Sequence, residues 1–358
     1  MAALWINLIL VFVFSSFARY FSRQLAINNY DVLPIKLNKW LSLLVVVTMV
    51  LVSGMRINIG DTYYYMHAYN VTDFTWEYVK ENKDMGFGVL QLILKKYSED
   101  AQILIVVTSL ITNLLIITVL MKYSRLFEIS TYVYITGGLF LVSMNGIRQV
   151  LAAAIIFTAT KYLINGNWIA YFAIVLLGST IHQSALILLP IYFLVRYKAW
   201  SRATIILLFA SVIIAIGYNQ FSELLFTAIA DSQYGHYSDF HEGGANSIRV
   251  LVYSAPLIIA FLGRDKLREL FPSSDFIVNM ALVGLLFMII STQNWIFARF
   301  SIYFNLYQLI LVSWIVKLFR EREQRFMYFV IIFCYFLYYY YESVISLNVV
   351  YKSDFWGV

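Results

Sequence analysis

The chain of 358 residues has one cysteine, four prolines and only 13% charged residues. The lone Cys334 sits inside an apolar run, which excludes a disulfide framework and a cysteine zinc cluster. Four prolines and 16 glycines exclude a fibrous or low-complexity chain. A typical soluble domain carries about 25% charged residues; the deficit here runs the whole length, so neither end holds a soluble domain. A Gly-rich phosphate loop, a Gly-x-Ser-x-Gly elbow and a His-Glu-x-x-His helix are all absent, which removes the chemistries those motifs serve. An Asp-x-Asp pair, which many glycosyltransferases use to hold a metal, is absent too. No metal and no cofactor is therefore expected.

What is present is apolar: 61% hydrophobic and 18% aromatic residues, in continuous rather than alternating runs. Continuous runs favour membrane-spanning helices over an outer-membrane barrel. The net charge of +6 would suggest nucleic acid in a soluble protein. Here the basic residues flank apolar runs and orient them in a bilayer, so the expected surroundings are membrane lipid and not nucleic acid.

A crossing helix needs about 20 mostly apolar residues. Such runs cover residues 2–18, 40–55, 101–121, 129–144, 149–164, 203–217, 250–263, 276–290, 295–316 and 326–342. Trp5, Trp40, Trp168, Trp200, Trp295 and Trp314 stand at or near run ends, as interfacial anchors do. Arg19 and Arg23 follow the first run, the reverse of a cleaved signal peptide, and place the N-terminus outside. Residues 168–195 are interrupted by His182, Gln183 and Ser184. Read as two short segments, they give 12 spans, with 17 Lys and Arg in the loops of one side and 9 on the other. Read as one long helix, they invert every later loop and put most of the positive charge outside, against the positive-inside rule. The expected fold is all-α: a polytopic transmembrane bundle of about 12 spans, one integral membrane domain over residues 1–358. Both termini are extracytoplasmic, and the short pair turns at His182 within the membrane. Irregular backbone at that depth persists only where protein or a water-filled cavity satisfies it.

Two long extracytoplasmic loops result, 56–100 and 219–247. The first contains Tyr63, Tyr64, Tyr65, Tyr69, Phe74, Trp76, Tyr78 and Phe87 among seven acidic residues; the second contains Tyr234, His236, Tyr237, Phe240 and His241. Rings stack on sugar C–H faces and carboxylates accept from sugar hydroxyls, so both loops suit a glycan; an interfacial aromatic belt is the alternative. Tyr338, Tyr339, Tyr340 and Tyr341 are read as such a belt, and Lys317, Arg320, Arg322 and Arg325 as a cytoplasmic charge anchor.

Four ionisable positions fall within or beside spans on the extracytoplasmic side: Arg56, Arg148, His182 and Arg299. An Arg at the bilayer centre costs roughly 2.5–3.5 kcal/mol on the insertion scale. A single Arg near a span end is most simply a snorkelling anchor. Three with an embedded His on one membrane face point instead to an anionic ligand, because guanidinium forks clamp phosphate. Asp61 follows Gly60 and either pairs with Arg56 or acts as a base or sugar ligand. Asn145 to Gln149 reads as a turn feeding a helix start, whose free N–H groups suit a phosphate beside Arg148. His182 is either a packing residue or a general base for a hydroxyl.

Residues 56–64, Asn145-Gly146-Ile147-Arg148-Gln149, residues 181–186 and residues 296–304 together resemble the EpsG family of exopolysaccharide biosynthesis proteins, which are similar to Wzy-type polysaccharide polymerases. The resemblance covers nearly the whole chain. It implies a protein of the bacterial plasma membrane that joins polyprenyl-diphosphate-linked oligosaccharide repeats into extracellular, biofilm polysaccharide at the outer leaflet. Arg56, Arg148 and Arg299 then bind the diphosphate. His182 or Asp61 takes the acceptor proton, and Asn145, Gln149, Tyr63 and Tyr64 meet other polar or glycan groups. Other exopolysaccharide synthesis proteins are further expected partners. The rival readings are a translocase of the lipid-linked repeat, a membrane acyltransferase that decorates the polymer, and a non-catalytic member of the synthesis complex.

Overall fold

Long apolar sequence with few helix breakers condenses into helices that bond their backbone groups internally, as a bilayer demands. A computed structural model describes residues 1–24, 33, 35–228 and 243–357, most of them helical. The aromatic and His positions of the second loop, Tyr234, His236, Tyr237, Phe240 and His241, lie outside the described residues. α1 (Ala2–Tyr20) and α2 (Lys39–Gly54) flank a two-residue antiparallel strand pair in which Arg23 faces Lys36. Next come α3 (Thr62–Val71), α4 (Trp76–Glu81), α5 (Met85–Lys95), α6 (Gln102–Tyr123), α7 (Phe127–Thr136) and α8 (Leu139–Asn145). α9 (Ile147–Phe157), α10 (Thr160–Asn165), α11 (Trp168–Ile181), α12 (Leu188–Leu194), α13 (Arg202–Ile216) and α14 (Tyr218–Ala228) follow. The chain closes with α15 (Ser247–Leu262), α16 (Arg264–Leu270), α17 (Ser274–Ile290), α18 (Ile296–Ile315) and α19 (Glu321–Tyr339), which runs into a π-helical turn at Tyr340–Ser346.

Side-chain caps start many of these helices where the sequence offers a short polar residue. Asn38 accepts from the N–H groups of Trp40 and Leu41 at 3.0 and 3.2 Å, and Asn167, Ser201 and Asn246 cap α11, α13 and α15 in the same way. Among the described residues four helices are long and apolar enough to cross a membrane, or seven if each of three bent pairs counts as one span. Six further apolar helices are shorter. The chain is an all-α membrane bundle. Two expected runs are divided, however. The run 129–144 bends by 54° between α7 and α8, at Gly137 and the left-handed Gly138, and 149–164 is cut between α9 and α10.

α18 is the central post: α7, α9, α15 and α17 pack around it and nearly all of its side chains are buried. Large apolar side chains stay exposed on outer faces, among them Ile206, Phe209 and Ile213 on α13 and Phe329 and Phe333 on α19. Apolar surface on that scale belongs against lipid. Trp40 and Trp168 are exposed as anchors should be, whereas Trp314 is buried and donates to the Tyr123 carbonyl at 2.8 Å.

The polar run in 168–195 does break the helix. α11 ends at Ile181, His182 takes extended backbone (φ −155°, ψ 111°), and a 3-10 turn at Gln183–Ile187 leads into α12. Tyr171, near the start of α11, packs at a tilt of 40° against Tyr192, near the end of α12, with ring centroids 5.1 Å apart. The segment is thus a hairpin with His182 at its tip. The first long loop is helical as well: α3, α4 and α5 form a cap whose Tyr69 and Phe87 pack with Leu104, Ile105 and Ile147 in a core of their own.

Candidate functional site

The cap meets the bundle through the segment after α2. Gly60 has φ +56°, and a Cβ there would fall 2.2 Å from Asn145 Oδ1, so this turn takes only glycine. That tightness lets Asn145 Oδ1 accept from the Asp61 N–H at 2.9 Å and tie the turn to the α8–α9 junction. Asp61 Oδ2 lies 3.9 Å from Nη2 of Arg299, in the first turn of α18, a loose pair with both side chains part-exposed. The Arg299 guanidinium also sits 5.2 Å from the Trp295 ring, and its carbonyl accepts from Gln149 Nε2 at 2.7 Å.

Arg148, at the start of α9, projects under the cap. Its Nη1 pairs with Asp84 Oδ2 at 3.0 Å, its Nε donates to the Tyr65 hydroxyl at 3.3 Å, and its guanidinium lies over the Tyr65 and Phe87 rings. The other oxygen of Asp84 accepts from the Gln183 N–H at 3.0 Å. One buried carboxylate thus holds both Arg148 and the tip of the α11–α12 hairpin. Burial pushes the Asp84 carboxyl above its ordinary value, with Arg148 and the Gln183 N–H pulling the other way. His182 is buried behind this tip. Its Nδ1 lies 3.0 Å from Ser184 Oγ, which lies 2.9 Å from the hydroxyl of Tyr303 on α18.

Two cavities open here. The larger, of about 630 Å³, is bordered by Gly60, Asn145, Gln149 and Arg299 at one end and by Arg249 and Glu342 at the other. The smaller, of about 350 Å³, lies under the cap between Asp61, Tyr64, Tyr78, Asp84 and Arg148. Gly60 and Asp61 form the ridge between them. Four segments far apart in sequence therefore deliver Asp61, Arg148, His182 and Arg299 to one place.

Arg56 is the correction. The clamp expected of it is ruled out by burial: 1% of it is exposed and its donors all turn inward. It donates to the Met144 carbonyl at 2.6 Å, to Thr62 Oγ1 at 2.9 Å, to Ser109 Oγ at 3.3 Å and to the Ser53 carbonyl. Nor does it pair with Asp61. The amides expected to meet substrate, Asn145 and Gln149, direct hydrogen bonds to the backbone of Asp61 and Arg299 while bordering the cavity. Tyr63 is mostly exposed on the outer face of α3 and stacks with His67, and Tyr64 borders the smaller cavity. The expected belt is wrong in part: Tyr338 and Tyr339 are buried, and Tyr338 borders the larger cavity.

The model of the EpsG family matches residues 39–353, a stretch that takes in every residue of this site. The chain belongs to the EpsG family. It is thereby a membrane protein of exopolysaccharide biosynthesis. No curated protein and no solved structure matched the chain. Sequence reasoning missed two carboxylates of this EpsG-family site, Asp84 and Glu342. Asp84 was hidden among seven acidic residues of a supposed loop, and its signal was its place at the head of the apolar helix α5. Glu342 stood out by the same rule that picked the arginines, a charge at the end of an apolar run.

Proposed function

We propose that this chain is a polysaccharide polymerase that joins polyprenyl-diphosphate-linked oligosaccharide repeats at the outer leaflet of the bacterial plasma membrane. The observation that carries this reading is the convergence of Arg148, Arg299 and Asp61 on two adjoining cavities in an apolar bundle. A lipid diphosphate is an anionic group on an apolar stem, and two part-exposed guanidinium groups suit it. The acceptor hydroxyl attacks the anomeric carbon of the donor sugar, the bond from that carbon to the diphosphate oxygen breaks, and the diphosphate leaves with the electron pair. Arg148 and Arg299 stabilise the negative charge that develops on it. Asp61, on the ridge between donor and acceptor spaces, is placed to accept the acceptor proton, and buried His182 positions the hairpin tip through Ser184 and Tyr303. With no Asp-x-Asp pair in the sequence, the transfer is metal-independent.

The test is extension of a purified polyprenyl-diphosphate repeat by the purified chain in lipid. Products lengthening by whole repeats support the reading. Transfer of the intact repeat across a vesicle membrane without lengthening would falsify it in favour of a translocase.

A further inference from the structure

The far end of the larger cavity carries a second polar centre made by residues outside the four motifs. Arg249, in the first turn of α15, donates through Nε to Glu342 Oε1 at 2.8 Å and through Nη2 to the same oxygen. Glu342 is 4% exposed, and its Oε2 has no hydrogen-bond partner among the described residues. A buried carboxylate oxygen left with unmet acceptor capacity is costly, and it persists where something else supplies the donor. Glu342 also lies in the π-helical turn at Tyr340–Ser346, a distortion that recurs at functional sites. Asn246 Nδ2 donates to the Tyr341 hydroxyl at 3.0 Å and pins the start of α15 to that turn.

The chemistry of this wall differs from that of the mouth. Its one cation and one anion neutralise each other, so it offers no net charge to a second phosphate. What remains is the carboxylate oxygen Oε2 and the spare capacity of Asn246 and Asn305, whose amides already bond Tyr341, the Ile248 N–H and Ser301, beside the rings of Tyr253 and Tyr338. Amides and a carboxylate beside aromatic faces match a neutral, hydroxyl-bearing ring: hydroxyls donate to the carboxylate, and sugar C–H faces lie on tyrosine. We propose that Arg249, Glu342, Asn246, Asn305, Tyr253 and Tyr338 form a glycan subsite, with Glu342 Oε2 accepting from a sugar hydroxyl. The assignment of that glycan to the repeat beyond the diphosphate rests on the polymerase reading; the subsite itself does not.

The experiment uses the full chain in lipid nanodiscs and two probes. One is the oligosaccharide repeat released from the cell's own exopolysaccharide, free of carrier; the other is polyprenyl diphosphate without sugar. Glu342→Gln is expected to weaken binding of the oligosaccharide on the order of 10–100-fold, the loss of a hydrogen bond to a charged acceptor, and to leave polyprenyl diphosphate binding unchanged. Arg299→Ala is expected to do the reverse. Should Glu342→Gln disturb folding, seen as loss of binding to both probes, Tyr253→Leu keeps the ion pair, removes the aromatic face and is expected to weaken the oligosaccharide alone, by about 5-fold. Oligosaccharide binding that is absent in the wild type, or unchanged in the variant that folds, overturns the subsite. Glu342-dependent oligosaccharide binding without any binding of polyprenyl diphosphate keeps the subsite and removes the carrier reading instead.

Discussion

Around Arg56 every guanidinium nitrogen meets a protein oxygen, whereas around Arg148 and Arg299 the guanidinium groups border cavities. All three carry the same kind of side chain. The difference lies in what surrounds them. Near Arg56, the ends of α2 and α8 present the carbonyls of Ser53 and Met144, which have no helical partner, while Thr62 at the start of α3 and Ser109 on α6 present hydroxyls, and the cation ties these elements together. At Arg148 and Arg299 the partners are two carboxylates and the rims of open spaces. A buried cation enclosed by carbonyls is a strut, and a cation facing a cavity is available to an anion.

That contrast can be broken most forcefully at Arg56. Arg56→Ala orphans the carbonyls of Ser53 and Met144 at about 1–3 kcal/mol each and leaves a void, a loss on the order of 3–5 kcal/mol in all. Thermal unfolding in detergent and membrane yield are expected to collapse. Arg56→Lys is not expected to restore them, because one ammonium cannot span the contacts of a fork. A folded Arg56→Ala protein that lacks only extension activity would return Arg56 to the clamp.

Arg299→Ala is expected to fold with little change in Tm, and Arg148→Ala with a lower Tm because buried Asp84 loses its cation; both are expected to lose on the order of 10²–10³ in extension rate, the scale of a lost charge-stabilising donor. Gly60→Ala comes next. Its left-handed φ and the encroachment on Asn145 are expected to cost about 1–3 kcal/mol and to lower activity by displacing Asp61. Normal kinetics in Gly60→Ala would show that the ridge tolerates movement.

The smallest effect concerns pH. Burial raises the Asp84 carboxyl, so its charged form is disfavoured in the folded chain at neutral pH, and that penalty is relieved as pH falls through the raised value. Relative to Asp84→Asn, the wild type is expected to gain Tm on mild acidification and then level off once pH passes below the ordinary carboxylate value. Parallel Tm curves for the two proteins would remove Asp84 as the titrating group. The same acidification loosens the Arg148 pair and the hairpin tip together, because one carboxylate holds both.

Much of the site was legible because a charge in an apolar run is costly and therefore conspicuous. Arg148, His182 and Arg299 were found that way, and Asp61 by its place after Gly60. Asp84 was not: it stood among seven acidic residues of the stretch 56–100, and its place at the head of the apolar run that forms α5 went unused. The helices of the cap escaped notice for a similar reason. α4 spans six residues and four of the ten residues of α3 are tyrosine, patterns too short or too polar to register as elements. Membrane character was legible throughout, but the cuts at Gly137–Gly138 and at Thr158–Ala159 depend on how α7 to α10 pack around α18.

Composition and hydropathy alone settled that this chain lives in a membrane as helices, because hydrocarbon penalises bare backbone, and charges within apolar runs were conspicuous because hydrocarbon penalises them too. Only the folded bundle decided which cations face open space, which are locked among carbonyls, and which carboxylate answers each of them. Those outcomes depend on contacts between segments as far apart as Asp84 and Gln183 or Arg249 and Glu342. Hydrogen-bond geometry over a few ångströms is set by packing, and packing is not written in local sequence spacing.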